Sequence, residues 1–433
     1  MRHPRKLFVL LMVATSLAAC GVADPEEVVE AKDEANDPKR GSVDPGRELV
    51  IVHPSVVDDP ARTTYVPGGT RSLGAWSFGR LIEKMARGKD PSAFVFGLFA
   101  HWSTDQQIGD SVAAARPAIQ SFLVDPWRAA SGCPSQGVCA LDFSKAPLRL
   151  TAIVNRIDKR PLPDGYDRVT HSGEGRFVFN VLNSSGVPSN FTVILEYFLP
   201  AKKSDDILSW AQRWHRLGAF PFGEAYNSEL QKITEDFSSP DAGHGASQRS
   251  TFRFLRTNEV SLAAAGSDPT NLPSTKLWEM RSYELGRTGW LAPTTVAQTP
   301  RLDLNGSAWL ADFLNDNAAS VLNGEYVVPA SILDAASPTP KFLLWSAPGV
   351  TPPDVVRAFA LGTCSGCHLS ETGANFAHMG KRELGLPALQ SDWMSTVEIP
   401  RRVNDFEELI TFSKIELKNV FRNRFRAGPG RAH

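Results

Sequence analysis

Neither sign of charge prevails in this chain of 433 residues: Lys and Arg number 46, Asp and Glu 47, for a formal net charge of −1. That balance removes the global electrostatic case for a nucleic-acid partner, which needs a basic surface to meet a polyanion. Five cysteines are too few for a disulfide scaffold. Beyond the first 20 residues no apolar run approaches the roughly 20 that a membrane-spanning helix needs. From Arg47 to Trp345 there is no fixed-period repeat, no low-complexity break and no long charge run. Also missing are G-x-S-x-G, H-E-x-x-H, a Walker A loop and a G-x-G-x-x-G after a strand, so the middle of the chain offers no set of residues on which to build a reaction. What is present suits a folded protein: 42% of residues are apolar and 21% charged, with 33 Gly and 31 Pro to supply turns. That composition points to an α+β fold with one or two cores rather than a helical bundle.

The beginning has its own character. In MRHPRKLFVLLMVATSLAAC, Arg2, Arg5 and Lys6 precede a short apolar stretch that runs into small residues, which is the pattern of a secretory signal peptide over residues 1–19. Leu17, Ala18, Ala19 and Cys20 resemble the lipobox of bacterial lipoproteins. The resemblance implies lipidation of the Cys20 thiol and a membrane partner reached through that anchor. Cleavage after Ala19 with a free Cys20 is the plainer alternative. Gly21, where Asp would resemble an inner-membrane retention signal, makes the outer membrane of the cell envelope the expected location. Residues 20–46 are acidic, lack aromatic residues and cannot bury enough surface to fold alone, so they read as a disordered tether.

A large mixed domain is expected over 47–345. Glu48 to His53 and Leu148 to Asp158 read as strands, and Phe78 to Met85 with Ala93 to Trp102 as helical or buried segments. GRFVFNVL at 175–182 and FTVILEYFL at 191–199, separated by NSSGVPSN, form a hairpin. Pairing Leu182 with Thr192 sets Val178 opposite Glu196 and makes Arg176 its diagonal neighbour. A structural cross-strand ion pair follows more readily than a pocket carboxylate shared with Asn155, Arg156, Asp158 and Glu174. Asp205 to Leu217 has helical periodicity with Trp210, Trp214 and Leu217 as its buried stripe. Gly218 fits its C-terminal position, and His215 is expected at the surface or in a second layer. Cys133 and Cys139, five residues of PSQGV apart, are expected to form a local disulfide.

The chemistry concentrates late in the chain. Cys364, Ser365, Gly366, Cys367 and His368 spell C-x-x-C-H, the arrangement of c-type haem attachment. Two thiols at this spacing can add to two vinyl groups of one porphyrin, and the adjacent imidazole can sit under the iron. With this composition, chance gives the pattern about once in a thousand such chains. Pro352, Pro353 and Asp354 open a helix whose apolar face, Val355, Val356, Phe359, Ala360 and Leu361, leads into Cys364; this resembles the first helix of a class I cytochrome c. Phe406 to Phe425 reads as a second amphipathic helix. Candidate opposing iron ligands are His378, then Met379 and Met394, with the terminal His433 the farthest; an open five-coordinate iron is the other possibility. A zinc site using Cys364, Cys367, His368 and His378, or a plain disulfide, are rival readings of the same residues.

The phrases AIVNRID, GEGRFVF, WHRLGAFPFGEAYN and LRTNEV are similar to those of a poorly characterised family of exported bacterial lipoproteins with a C-terminal cytochrome-c-like segment, over residues 145–433. That resemblance implies an architecture and no particular reaction. The expectation is therefore an α+β protein in which a large mixed domain is followed by a small all-α cytochrome-c-like domain at 346–433. It would carry one haem c and transfer single electrons to a redox partner protein, with the basic end (Arg422, Arg424, Arg426, Arg431) available to guide an acidic one. A peroxidase-like enzyme with an open iron, and a non-haem surface binding or structural lipoprotein, are the alternatives.

Overall fold

Alternating apolar and polar residues in long strands build one antiparallel sheet of eight strands in the computed structural model, which describes residues 42–411 except 71–72, 162–167, 243–250, 261–277, 340–342, 369–370 and 375–376. The leader, Cys20, most of the tether, the far part of the expected closing helix, the basic end and His433 lie outside the described residues. The strands are β1 (Val50–Ile51), β2 (Leu148–Arg156), β3 (His171–Leu182), β4 (Pro188–Pro200), β5 (Phe252–Val260), β6 (Trp278–Leu285), β7 (Leu291–Thr294) and β8 (Ser337–Thr339). Their order is β1-β2-β3-β4-β5-β6-β8, with β7 also paired to β6. With the helices around it this is an α+β fold. Among the described residues no helix is long and apolar enough to cross a membrane.

The central hairpin forms with a register two residues away from the one read off the sequence. Arg176 pairs directly with Glu196, Val178 with Ile194, and Leu182 with Pro188 after a bulge. The turn is tighter than NSSGVPSN suggests because the Asn183 Oδ1 accepts from Ser185 N at 3.0 Å and from Val187 N at 2.9 Å, which leaves Pro188 free to enter the strand. A two-residue shift preserves which residues share a face, so the acid and the base still meet.

The pleat divides the sheet into unlike faces. Phe177, Phe179, Phe191, Val193, Leu195 and Leu255 point to one side and are buried under α1 (Phe78–Ala86), α2 (Pro91–Ser103) and the helix Glu224–Ser238. Edge contacts of Phe78 on Phe179, Trp102 on Phe191 and Phe237 on Phe177 fill this core. Gly175 permits the close approach, since a Cβ there would stand 2.6 Å from the Phe237 ring. The other face carries Arg156, Arg176, Glu196, Arg256 and Asn258 and is covered by the C-terminal part of the chain.

The fold begins before Arg47: Val43 is buried and Asp44 caps a helical turn at Pro45–Glu48, so the first strand shortens to two residues. The helix expected at 205–217 runs Ser204–Arg216, with Trp210, Trp214 and Leu217 buried. Gly218 is not a left-handed cap; it makes room for Glu48, whose Oε1 would lie 2.3 Å from a Cβ. The Cys133–Cys139 disulfide is present, with Cα atoms 5.9 Å apart, closing a loop that Arg128 also holds through the Gly137 carbonyl at 2.6 Å.

Both cores draw on residues from each side of position 345. Met394, Ile399, Phe406 and Leu409 belong to the main core, whereas Val355, Phe359 and Ala360 pack with Leu310, Leu314, Tyr326 and Trp345. The helix expected from Phe406 starts at Ile399 and is described as far as Thr411.

Arg382, with a side chain 0% exposed, ties the loop after Met379 to the sheet. It donates to Asp58 at 2.5 and 2.9 Å, to the Leu150 carbonyl at 2.6 Å and to the Val57 carbonyl at 3.0 Å. Replacing Arg382 with Met removes the cation paired with Asp58, to which Gly385 N also donates at 2.8 Å, and the donor to the Leu150 and Val57 carbonyls, and should cost about 3–5 kcal/mol, read from the urea midpoint. A second expectation concerns pH. His215 Nδ1 lies 2.8 Å from Glu48 Oε2, and that hydrogen bond raises the His215 pKa above its usual range. Its stabilisation is fully present below about pH 6.5 and is lost as pH rises through the raised folded value. His215→Gln should remove that decline from a plot of unfolding free energy against pH.

Candidate functional site

The C-x-x-C-H segment is placed by capping and by close packing. The helix Asp354–Gly362, α3 here, anchors in the smaller core, and Thr363 then caps a one-turn helix at Cys364–Cys367 by accepting from Gly366 N at 3.0 Å. Gly366 lies so near the Ala360 carbonyl oxygen that a Cβ would stand 2.2 Å away, so the position just before Cys367 has to be glycine. Trp345 Nε1 donates to Ser365 Oγ at 3.0 Å and pins the turn from outside. Cys364 and Cys367 stand one helical turn apart, and both are buried and outside any disulfide.

These residues meet the charged sheet face at a pocket. It is open to solvent on one side. Cys367, His368, His378, Met379, Trp393 and Met394 line it from the C-terminal part of the chain, Val154, Val178 and Ile194 are the apolar contribution of the sheet, and Arg156, Arg176, Arg402 and the carboxylate of Glu398 form its polar end. Cys364 is outside this lining, its Sγ 3.5 Å from the Met280 Sδ. The His368 ring stacks on Trp278 at 4.4 Å and lies 4.6 Å from the His378 ring, which in turn packs on Trp393 at 5.0 Å. His378 Nδ1 shares a hydrogen bond with Ser391 Oγ at 2.9 Å, and its Nε2 is 3.5 Å from Cys367 Sγ.

Burial sets the protonation here. It pushes the Cys364 thiol up to about 11 and the His378 imidazole down to about 4, so both are neutral near pH 7. A thiol held protonated is the opposite of an activated redox cysteine. The zinc reading gains nothing either: among the described residues no group of three or more His, Cys, Asp or Glu side chains converges as metal ligands do. For a c-type haem the donors fit in kind: two thiols outside any disulfide, of which Cys367 lines the pocket, an imidazole next to it, apolar side chains, and a buried arginine whose Nη1 has no hydrogen-bond partner among the described residues, at Arg402. His378 fits less well as the opposing ligand. Two imidazoles on opposite sides of one iron need nitrogens about 4 Å apart, end-on, whereas these rings lie beside one another at 48°.

The middle-domain candidates separate. Arg156 and Arg176 reach the pocket; Asn155 turns away, donating to the Glu48 carbonyl at 3.1 Å. Asp158 is taken up by Arg156 at 2.9 Å and Arg401 at 2.8 Å, and Glu174 by Arg176 and Arg253. Arg176 also pairs with Glu196 at 3.1 Å, both side chains at most 8% exposed, which is the structural ion pair the hairpin implied. Sequence reasoning missed Trp393, Glu398 and Arg402. Each follows a spacing that means nothing until the C-terminal segment lies across the sheet. No family model, no curated protein and no solved structure matches the chain.

Proposed function

We propose that this is an exported, lipid-anchored protein that holds one covalently attached c-type haem in the pocket between the sheet and the C-x-x-C-H turn, and that it carries single electrons to and from a redox partner protein. The observation that carries the reading is that Cys367 and His368 line the same pocket as the apolar side chains Val154, Val178 and Ile194, together with Met379 and Met394. Attachment needs no oxidant: each S–H adds across one vinyl group, the sulfur bonding to one carbon and the hydrogen passing to the other. When bound, the iron supplies a one-electron couple. The chain's own part is to fix the His368 ring against Trp278, to keep water from the apolar walls, and to balance negative charge with Arg156, Arg176 and Arg402. Anchorage would come from Cys20, and the small cytochrome-c-like unit would be the part that brings the thiols and His368 together.

With His378 packed on the His368 ring, Met379 and Met394, which line the same pocket, would be the remaining candidate donors for the side of the iron away from His368. The same observation favours a second reading, in which that side of the iron stays open and the protein reduces peroxide. Cyanide binding to the resting protein separates the two.

Material produced with the haem-attachment machinery should show a c-type pyridine haemochrome and an intact mass raised by one haem beyond the acylated polypeptide. Cys364→Ala with Cys367→Ala should abolish both signals. A native mass equal to the acylated polypeptide alone would overturn the proposal. A methionine-to-iron charge-transfer band is expected in the oxidised protein and should disappear in whichever of Met379→Leu or Met394→Leu removes the ligand.

A further inference from the structure

The polar end of the pocket holds more positive than negative charge. Arg156, Arg401 and Arg402 share two acids, Asp158 and Glu398. Arg176, Arg253 and Arg256 share two others, Glu174 and Glu196. Among the described residues each group sets three guanidiniums against two carboxylates, a formal excess of one positive charge. Arg401 and Arg253 stand at the rim with 30% of their side chains exposed and are partly hydrated. The three that line the pocket, Arg156, Arg176 and Arg402, are at most 8% exposed.

Arg402 shows the deficit most directly. Its Nε donates to Glu398 at 3.0 Å, while its buried Nη1 has no hydrogen-bond acceptor among the described residues. A buried guanidinium N–H without an acceptor is costly to maintain, and a site that keeps one is shaped for a ligand that supplies the acceptor. Lys159 senses the same field: burial, then the charges of Arg156, Arg176 and Arg253, push its pKa well below the usual lysine range.

We propose that this end of the pocket is a dicarboxylate site, taking one carboxylate at Arg402 and Arg156 and a second at Arg176. Two sources have this chemistry. One is the pair of propionates on a porphyrin held by Cys364 and Cys367, in which case the inference rests on the haem reading above; the other is a free dicarboxylic acid. Bidentate guanidinium–carboxylate bonding would serve either, and the apolar wall of Val154, Val178 and Ile194 would receive the rest of the ligand.

The test uses the full chain produced without the attachment machinery, titrated calorimetrically with haemin and with haemin dimethyl ester, which differ only in whether the two carboxylates are free. Haemin should bind at least tenfold more tightly than its ester, and Arg402→Gln or Arg176→Gln should lower that ratio severalfold. The comparison on the unaltered chain needs no variant to fold, and Arg402→Lys, which keeps the charge, should restore part of the ratio. Equal affinities for the two porphyrins, with no thermal stabilisation by succinate, overturn the site, whether or not the native protein carries haem. Succinate stabilisation that is lost in Arg402→Gln, with no haemin preference, supports the site and assigns it to a free dicarboxylate. If native material then also lacks a haem mass, the haem reading fails while the site stands.

Discussion

A β-sheet that buries charge on one of its faces cannot be closed by hydrocarbon, and the cover of this sheet follows from that constraint. Arg156, Glu174, Arg176, Glu196 and Arg256 lie on the same side of four adjacent strands, all nearly inaccessible to solvent. Charges so placed persist only with partners of opposite sign at hydrogen-bonding range. Glu398 enters beside Arg156 and Arg402, while Arg401 reaches across to Asp158. The C-terminal helix is thereby held on the sheet by ion pairing on one flank and by Phe406 and Leu409 in the aromatic core on the other. The opposite face has no such requirement and is packed with rings and aliphatic side chains.

The pocket lies where these two kinds of cover meet. Ion pairs need space and direction that methyl groups do not supply, and valines 154 and 178 with Ile194 need contacts that guanidiniums do not make. Along the line between them the packing stays incomplete. The C-x-x-C-H turn is delivered to that line by a rigid route: a helix rooted in the smaller core, a threonine cap, and a glycine pressed against the Ala360 carbonyl. The loop bearing His378 and Met379 is fixed independently, by Arg382 on Asp58 and the sheet carbonyls. The C-x-x-C-H turn and the loop bearing His378 and Met379 are thus each tied to a separate buried anchor.

In the proposed function the same division acts twice. Apolar walls around a tetrapyrrole would limit water near the iron, and the arginine end would set its electrostatic surroundings, the two features through which a protein adjusts a haem potential. The rings of Trp278, His368, His378 and Trp393 form a continuous contact from the sheet edge to the outer wall. His368 is therefore oriented by packing as well as by its place beside Cys367.

Local features were legible without a structure because they depend on neighbours in the chain. The long hairpin, the Trp210 and Trp214 stripe, the helix leading to Cys364 and the Cys133–Cys139 bridge all arise from periodicity or short-range closure. The exact strand pairing was not legible, since Asn183 tightens the turn through its own side chain, and a count of intervening residues does not contain that hydrogen bond. Gly218 likewise reads as a helix terminator, yet what it answers to is Glu48, 170 positions earlier.

What the sequence determined by itself was the chemistry at hand: an α+β composition, two thiols and an imidazole at attachment spacing, and candidate donors downstream. What only the tertiary structure decided was which of them meet. It set the His378 ring against that of His368, turned Asn155 away from the pocket and brought Arg402, 246 residues after Arg156, to the same pocket. The physical reason is that spacing fixes neighbours only within a helical turn or a strand, whereas the meeting of distant side chains depends on how buried charges find their partners across the fold.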